Sequence, residues 1–535
     1  MSTDGGLRGP SVNGRVHAPA RIGNRRGSAV IDGLNQMLAG AEVVEAEAED
    51  GAPGCGGGGD GCDATVREAV DDPHRLARLF VAQSFTHPER PTLVRHRDEF
   101  LAWDGARYRE APDVKHLLVA SIRAEFERAN RVAVAGLRSS GGGGEPPTVR
   151  KVNTRLVGDA TQALASLTHV SAGQPLPSWL GQAVFPVGEV LACRNALIHL
   201  PAWVAGRGGR IDPSPRFFST TALPVDFDPV APVPARWYEF LREIWPEDPQ
   251  AIATLQEWFG YSLTPDTTRQ KILLVVGPSR SGKGTIGRVL RGLLGPDGVT
   301  NPTLAGLATN FGLAPLIGKA LAVISDARLS GRTDQGVIVE RLLSISGEDS
   351  LTIDRKNRAP WTGRLSTRLM LLTNELPRLR DASAALANRF IVLRQTETFL
   401  GRENALLTDQ LLGELPGILM WAVGGWARLR DRDRFDPPDS GAVLADELVA
   451  LSSPVSQFVA ECCLVGSGQN VSVDGLYSRW QGWCEVQGRD HPGDKAAFGR
   501  DLRAVVPGVD NQPRHRDGGQ VRTYLGIGLR PRGGG

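Results

Sequence analysis

The sequence predicts an α/β protein built on a parallel sheet, and three observations carry that expectation. Four apolar stretches read as strands, ILLVV at 272–276, which has the character of a strand buried on both faces, LAVISDAR at 321–328, RLMLLTNELP at 368–377 and RFIVL at 389–393. Between them lie stretches of helical periodicity, as in Ile286, Val289, Leu290, Leu293 and Leu294. The first run reaches its helix through the glycine-rich turn GPSRSGKGT, and in such folds chemistry collects at the C-terminal edge of the strands.

The chain has 535 residues, enough for about three or four domains. Lys and Arg number 61 against 59 Asp and Glu, a formal charge of +2. This balance excludes a uniformly basic nucleic-acid binder, so any such affinity must come from local patches. The six cysteines (Cys55, Cys62, Cys193, Cys462, Cys463 and Cys484) show no paired CxxC spacing and read as reduced thiols. No apolar run has membrane-spanning length and no signal peptide opens the chain, which points to a cytoplasmic protein with no membrane partner.

In chain order, residues 1–73 mix Gly, Ala, Asp, Glu and Arg with few aromatics and read as a disordered arm. Residues 74–230 read as a mostly helical domain with a connector. HRLARLFVAQSF is a helix, DEFLAWDGARYREAP a hairpin turned at Asp104 and Gly105, and HLLVASIRAEFERANRVAVAG a second helix. A Gly/Ser break at 139–144 precedes a third helix, and proline with short β-rich pieces dominates 185–228. Residues 231–436 hold the alternating strands and helices. They open on RWYEFLREIW, whose stripe of Trp237, Tyr238, Leu241, Ile244 and Trp245 reads as core. Within them SLTIDRKNRAPWTGRL is a hairpin with basic residues at its tip. Residues 437–535 contain three short helices and a terminal hairpin with a DGG turn, the pattern of a winged helix. Its third helix offers Lys495, Arg500 and Arg503, and its hairpin Arg514, His515, Arg516 and Arg522, for a nucleic-acid backbone.

The turn reads as a phosphate-binding loop, Gly277, Pro278, Ser279, Arg280, Ser281, Gly282, Lys283, Gly284 and Thr285. Backbone N–H groups and the positive end of the following helix cradle a triphosphate, here ATP, and Lys283 reaches its outer phosphates. The hydroxyl that holds Mg²⁺ normally follows the lysine directly. Here Gly284 intervenes, so Thr285 is the metal-side residue. Asp326 stands at a strand end where a carboxylate reaches the same Mg²⁺. Asn374, ending another strand, would orient water or sense the γ-phosphate, and Arg389 would act as a finger on a neighbouring subunit's site.

The order of loop, acid, basic hairpin, amide and arginine resembles that of the superfamily 3 helicases, ring-forming AAA+ type ATPases. More closely, TTALPVDFDP, LQEWFGYSLTPDT, GPSRSGKGT, GKALAVISDARLSG, SGEDSLTIDRK, LLTNELPRLRDASAALANRF and DGGQVRTYLGIGL resemble the helicase part of phage/plasmid primases, related to poxvirus and satellite-phage primase-helicases. The resemblance implies a P-loop ATPase core with a C-terminal winged helix, assembled as a homo-hexamer ring on single-stranded DNA. It implies catalytic roles for Lys283, Asp326, Asn374 and Arg389, and a channel hairpin carrying Arg355 and Lys356 against the strand. The chain departs from the family in having a single acid at the second motif, between Ser325 and Ala327, which leaves the general base open with Glu340 as a weak alternative. The only acidic pair in a primase-like setting, Asp226 and Asp228, is flanked by proline in the connector, so a separate primase is expected as a partner.

Two rival functions share these residues. GKGT also resembles the phosphate loop of nucleotide kinases of the adenylate kinase type, and the single acid suits a non-catalytic, ATP-binding replication factor.

Overall fold

The computed structural model describes residues 68–140, 145–325, 335–377, 379, 385–487, 492–516 and 519–531. The expected arm lies outside them up to residue 67, as do most of the Gly/Ser break and Asp326.

Helix α1 (Pro73–Ser84) starts where Asp72 accepts a hydrogen bond from Arg75 N at 2.8 Å, an ordinary N-cap. Strands β1 (Leu93–His96), β2 (Glu99–Trp103) and β3 (Tyr108–Glu110) form an antiparallel sheet. The β2–β3 hairpin turns over residues 104–107. Helices α2 (Val114–Ser139) and α3 (Thr154–Leu167) pack with α1 around Leu76, Phe80, Leu118, Ile122 and Leu164. There follow β4 (Ser178–Trp179), β5 (Val190–Cys193), β6 (Ala196–His199), α4 (Leu200–Val204), β7 (Arg210–Ile211) and β8 (Phe217–Phe218). β4 pairs with β8, and β5, β6 and β7 form a further sheet. The expectation that 74–230 is mostly helical is therefore corrected, since three small sheets share the region with its helices. Strands of two to five residues carry too few alternations to register as a period of two.

Helices α5 (Ala235–Ile244) and α6 (Pro249–Tyr261) lead into β9 (Ile272–Val276) and α7 (Lys283–Leu294). Then come β10 (Val299–Thr300), α8 (Leu304–Leu307), β11 (Leu321–Ser325), α9 (Gln335–Ser346), the hairpin β12 (Leu351–Arg355) with β13 (Arg358–Gly363), β14 (Arg368–Thr373) and β15 (Phe390–Arg394). The five strands run parallel in the order β10-β11-β14-β9-β15.

The unbroken apolar runs are explained by burial on both faces. Leu273, Val275, Met370, Leu372, Ile391 and Leu393 face one core, which also holds Ile286, Val289 and Leu293 of α7 and the tryptophans of α5 and α6. Their neighbours Ile272, Leu274, Leu369, Leu371, Phe390 and Val392 face a second core with Ile338, Leu342 and Ile345 of α9. Trp237, Leu241, Ile244 and Trp245 are buried in the first core, as their helical spacing required.

Helix α10 (Leu407–Gly413) and α11 (Leu415–Arg432) break at Glu414 and close the first core. Helix α12 (Asp439–Ser452), absent from the sequence reading, delivers Leu448 to the second core. The last elements are α13 (Pro454–Cys462), a ten-residue strand β16 (Cys463–Ser472), α14 (Val473–Val486), α15 (Lys495–Val505), β17 (Asp510–Arg516) and β18 (Gly519–Leu529). The last three strands form an antiparallel sheet in the order β16-β18-β17. Phe458, Trp480, Phe498, Leu502 and Ile527 make its core. The described cysteines, Cys193, Cys462, Cys463 and Cys484, are all buried. Among the described residues no single helix is long and apolar enough to cross a membrane.

Candidate functional site

The glycine-rich turn is held from both sides because β9 runs between β14 and β15. Gly277 N donates to Thr373 O at 3.2 Å, and Gln395 N donates to Val276 O at 2.7 Å. The chain after β15 continues the support: Thr398 Oγ1 donates to Ser279 O at 2.9 Å and Phe399 N to Arg280 O at 3.0 Å. Two glycines are demanded by this geometry. A Cβ on Gly277 would lie 2.7 Å from Gln395 Cβ and 2.8 Å from its carbonyl oxygen. Gly282 caps α7 at φ 93°, the left-handed region that side chains resist.

Beneath the turn, Ser281 is buried and its hydroxyl donates to Gln395 Oε1 at 2.7 Å. Lys283 Nζ lies inside the turn, donating to Gly277 O at 2.7 Å, Pro278 O at 2.6 Å and Ser281 Oγ at 3.1 Å. Burial lowers the pKa of this ammonium from its ordinary value. Thr285 is buried on the first turn of α7, where its hydroxyl accepts from Arg288 Nη2 at 3.0 Å.

The turn and the start of α7 form one wall of a cavity of about 710 Å³. Arg236, Phe240 and Glu243 of α5 line it, with Phe399, Arg402 and Leu407 from the segment after β15. The positive end of a helix, an ammonium and four guanidinium groups (Arg236, Arg280, Arg288 and Arg402) thus outnumber two carboxylates (Glu243 and Glu403) around an aromatic-lined recess, an arrangement that can hold a polyanion joined to a planar ring. Sequence reasoning missed these residues and Gln395. The stripe on α5 offered a partial signal, but only the fold brings Phe240 to the turn.

Asn374 follows β14 and faces the turn across the adjacent strand, its Nδ2 3.5 Å from Ser279 Oγ. Asp326 lies outside the described residues; the preceding Ser325 ends β11, beside β14. Arg389 stands apart from the cavity. It precedes Phe390, which pairs with Ile272 at the start of β9, so it lies at the opposite edge of the sheet from the turn. There its Nη1 donates to Gln270 Oε1 at 3.1 Å and Ser346 O at 3.0 Å.

The hairpin β12–β13 packs against the sheet of β1 to β3. Arg355 Nη1 is 3.0 Å and Arg358 Nη1 2.6 Å from Glu99 Oε1, and Arg358 is 3.3 Å from Glu110. These carboxylates raise the Arg358 pKa, Glu110 foremost. Arg97 lies over the Trp361 ring at 5.2 Å, and Lys356 is exposed at the tip. In the C-terminal module Lys495 is ion-paired with Asp474, while Arg500, Arg503 and Arg514 are exposed. Arg516 ends β17, and its side chain is outside the described set. Asp226 is bound bidentately by Arg194 at 2.8 and 2.6 Å, and Asp228 Oδ1 accepts from Val230 N at 3.0 Å.

Residues 275–389, from the turn to Arg389, match a family of unknown function (DUF5906). Among solved structures, the chain is similar to the A form apo structure of the NrS-1 C-terminal region, with 11% identity and a TM-score of 0.46 over 85% of this chain and 99% of that one. A second apo structure of the NrS-1 C-terminal region gives 12% identity and a TM-score of 0.47 over the same shares.

Proposed function

We propose that this protein is a P-loop ATPase of the superfamily 3, AAA+ ring type, which moves along single-stranded DNA in phage- or plasmid-type replication with a primase supplied by another polypeptide. The observation that carries the reading is the turn between β9 and α7, where Lys283 and the start of the helix face one cavity. In this reading ATP seats its phosphates on residues 277–285 and its base in the recess of Phe240, Phe399 and Leu407. Lys283 exchanges the carbonyls of Gly277 and Pro278 for the outer phosphate oxygens and neutralises the charge that develops as water attacks.

Asn374, opposite Ser279, would orient that water. Mg²⁺, when bound, supplies further charge neutralisation on the phosphates. Thr285 presents a hard oxygen at the cavity wall of the kind Mg²⁺ takes, and Asp326 would provide the carboxylate. The remoteness of Arg389 from its own turn supports a role on the neighbouring subunit of a hexamer. Arg355 and Lys356 of the hairpin, with Lys495, Arg500, Arg503, Arg514 and Arg516 of a winged-helix module, would meet the strand's phosphates.

The test is ATP hydrolysis with and without single-stranded DNA. The wild type should turn over faster with DNA, and Lys283→Ala should lose about 100-fold or more. No hydrolysis by the wild type in either condition overturns the proposal. Phosphoryl transfer to a nucleoside monophosphate instead of water would favour the kinase reading.

A further inference from the structure

A second recess, of about 380 Å³, lies between α1, the segment leading to β1, and the end of α3. Its size is within the range that holds a small ligand. Two of its lining residues carry positive charge, Arg78 and Arg90, two more, His87 and His169, offer ring nitrogens, and none of its lining residues is acidic. The one nearby carboxylate in this segment, Glu89, is turned away onto Ser214 Oγ. Arg78 is ion-paired with Glu68. Arg90 is not: among the described residues its guanidinium has no ion pair, and its Nε is buried without a hydrogen-bond partner. A buried donor on a cation is costly to leave unpaired, and an anion would satisfy it. His87 Nδ1 accepts from Glu89 N at 3.3 Å, which puts the ring proton on Nε2 and makes a further donor available.

The remaining wall is apolar, with Phe85, Leu93 and Leu167. Phe85 is set edge to face against Phe80 at 5.4 Å between centroids, which fixes its ring. An inorganic anion would leave that wall wet, whereas a nucleotide places a planar base on it and its phosphate on the cations. The base must be unpaired to enter, because a duplex stacks its faces away.

We propose that this recess binds one nucleotide unit of a single strand, at a site separate from the glycine-rich turn. The inference does not rest on ATP hydrolysis, since the same recess would hold a strand in a protein that never turned over nucleotide.

The experiment uses the full chain and a fluorescent oligothymidylate. Arg90→Ala should weaken binding about tenfold and reduce the salt slope by about one. Arg90→Lys should recover part of the loss, and ATP affinity should not change. Phe85→Leu, which keeps apolar volume without the ring, should also weaken the oligonucleotide and serves if Arg90→Ala does not fold. An oligonucleotide carrying 5-iodouracil should crosslink to the segment 74–97, with free thymidine monophosphate competing and inorganic phosphate competing far less. Unchanged affinity in both variants, no crosslink in that segment, or equal competition by inorganic phosphate or polyglutamate would overturn the proposal. Hydrolysis is scored separately, so failure here leaves the ATPase reading standing, and the reverse.

Discussion

Gly277 and Gly284 belong to one motif, yet the structure assigns them opposite tolerances for a methyl group. At Gly277 the added Cβ would lie 2.7 Å from Gln395 Cβ and 2.8 Å from Gln395 O, whereas ordinary contact begins near 3.4 Å. The turn and the chain after β15 would have to separate by about 0.7 Å, the kind of overpacking that costs about 1–3 kcal/mol. A displacement of that size beside reacting atoms lowers turnover by up to about 100-fold. At Gly284, inside α7, the nearest atom is Arg288 Nη1 at 3.4 Å, the end of a flexible side chain. Gly284→Ala should be neutral or stabilising by about 0.5–1 kcal/mol, because alanine loses less freedom on entering a helix. Urea unfolding and steady-state ATP hydrolysis of both variants make the comparison. A Gly277→Ala protein with wild-type stability and turnover would refute the reasoning. So would a Gly284→Ala protein as impaired as Gly277→Ala.

Three further outcomes follow from contacts described above. Glu99→Gln frees Arg355 and Arg358 from a carboxylate, so affinity for single-stranded DNA should rise about two- to fivefold and the gain should shrink with salt. Anisotropy titrations at two salt concentrations measure this, and no change would remove the hairpin from the strand's path. Glu257 is fully buried in α6 and accepts from Arg428 Nε at 2.7 Å and Arg432 Nη2 at 2.6 Å. Glu257→Ala should cost about 3 kcal/mol by urea unfolding, and a loss below about 1 kcal/mol would show that the pair does not hold α6 to α11. Glu125 has its pKa held below the ordinary 4.5 by hydrogen bonding from Arg128 and then Arg75, against the opposing effect of burial. Its contribution is therefore present above about pH 4.5 and lost as pH falls through the lower folded value. Unfolding of Glu125→Gln should show a flatter acid limb below that pH than the wild type.

The parallel sheet and its glycine-rich turn were legible in the sequence because their signals are local. Five consecutive apolar residues and a G-x-x-x-x-G-K spacing lie within one short stretch, and the physics that shapes them acts over the same distance. The place of Asn374 beside the turn was legible for the same reason, since it directly follows a strand. Phe399 and Arg236 were not, because they reach the cavity only through the order of strands and the packing of α5, and neither was Gln395, which meets the turn only because β15 runs beside β9. Strand β16 escaped notice because CLVGSGQNVS lacks alternation, and its pairing with β18 shifts register between Val465 and Asn470. Helix α12 follows a proline-rich loop, and only its packing on β15 distinguishes it from a continuation of that loop.

The double burial of the sheet divides the interior as a partition wall divides a room. Neighbouring residues of one strand, Leu273 and Leu274, belong to separate compartments. The helix that begins at Lys283 is rooted in the first, through Ile286 and Val289. The hairpin is rooted in the second, through Ile353. Side-chain repacking on one side has no direct route to the other. Val276, the residue directly before the turn, lies in the second compartment with Ile353, so β9 itself is the element that both sides share.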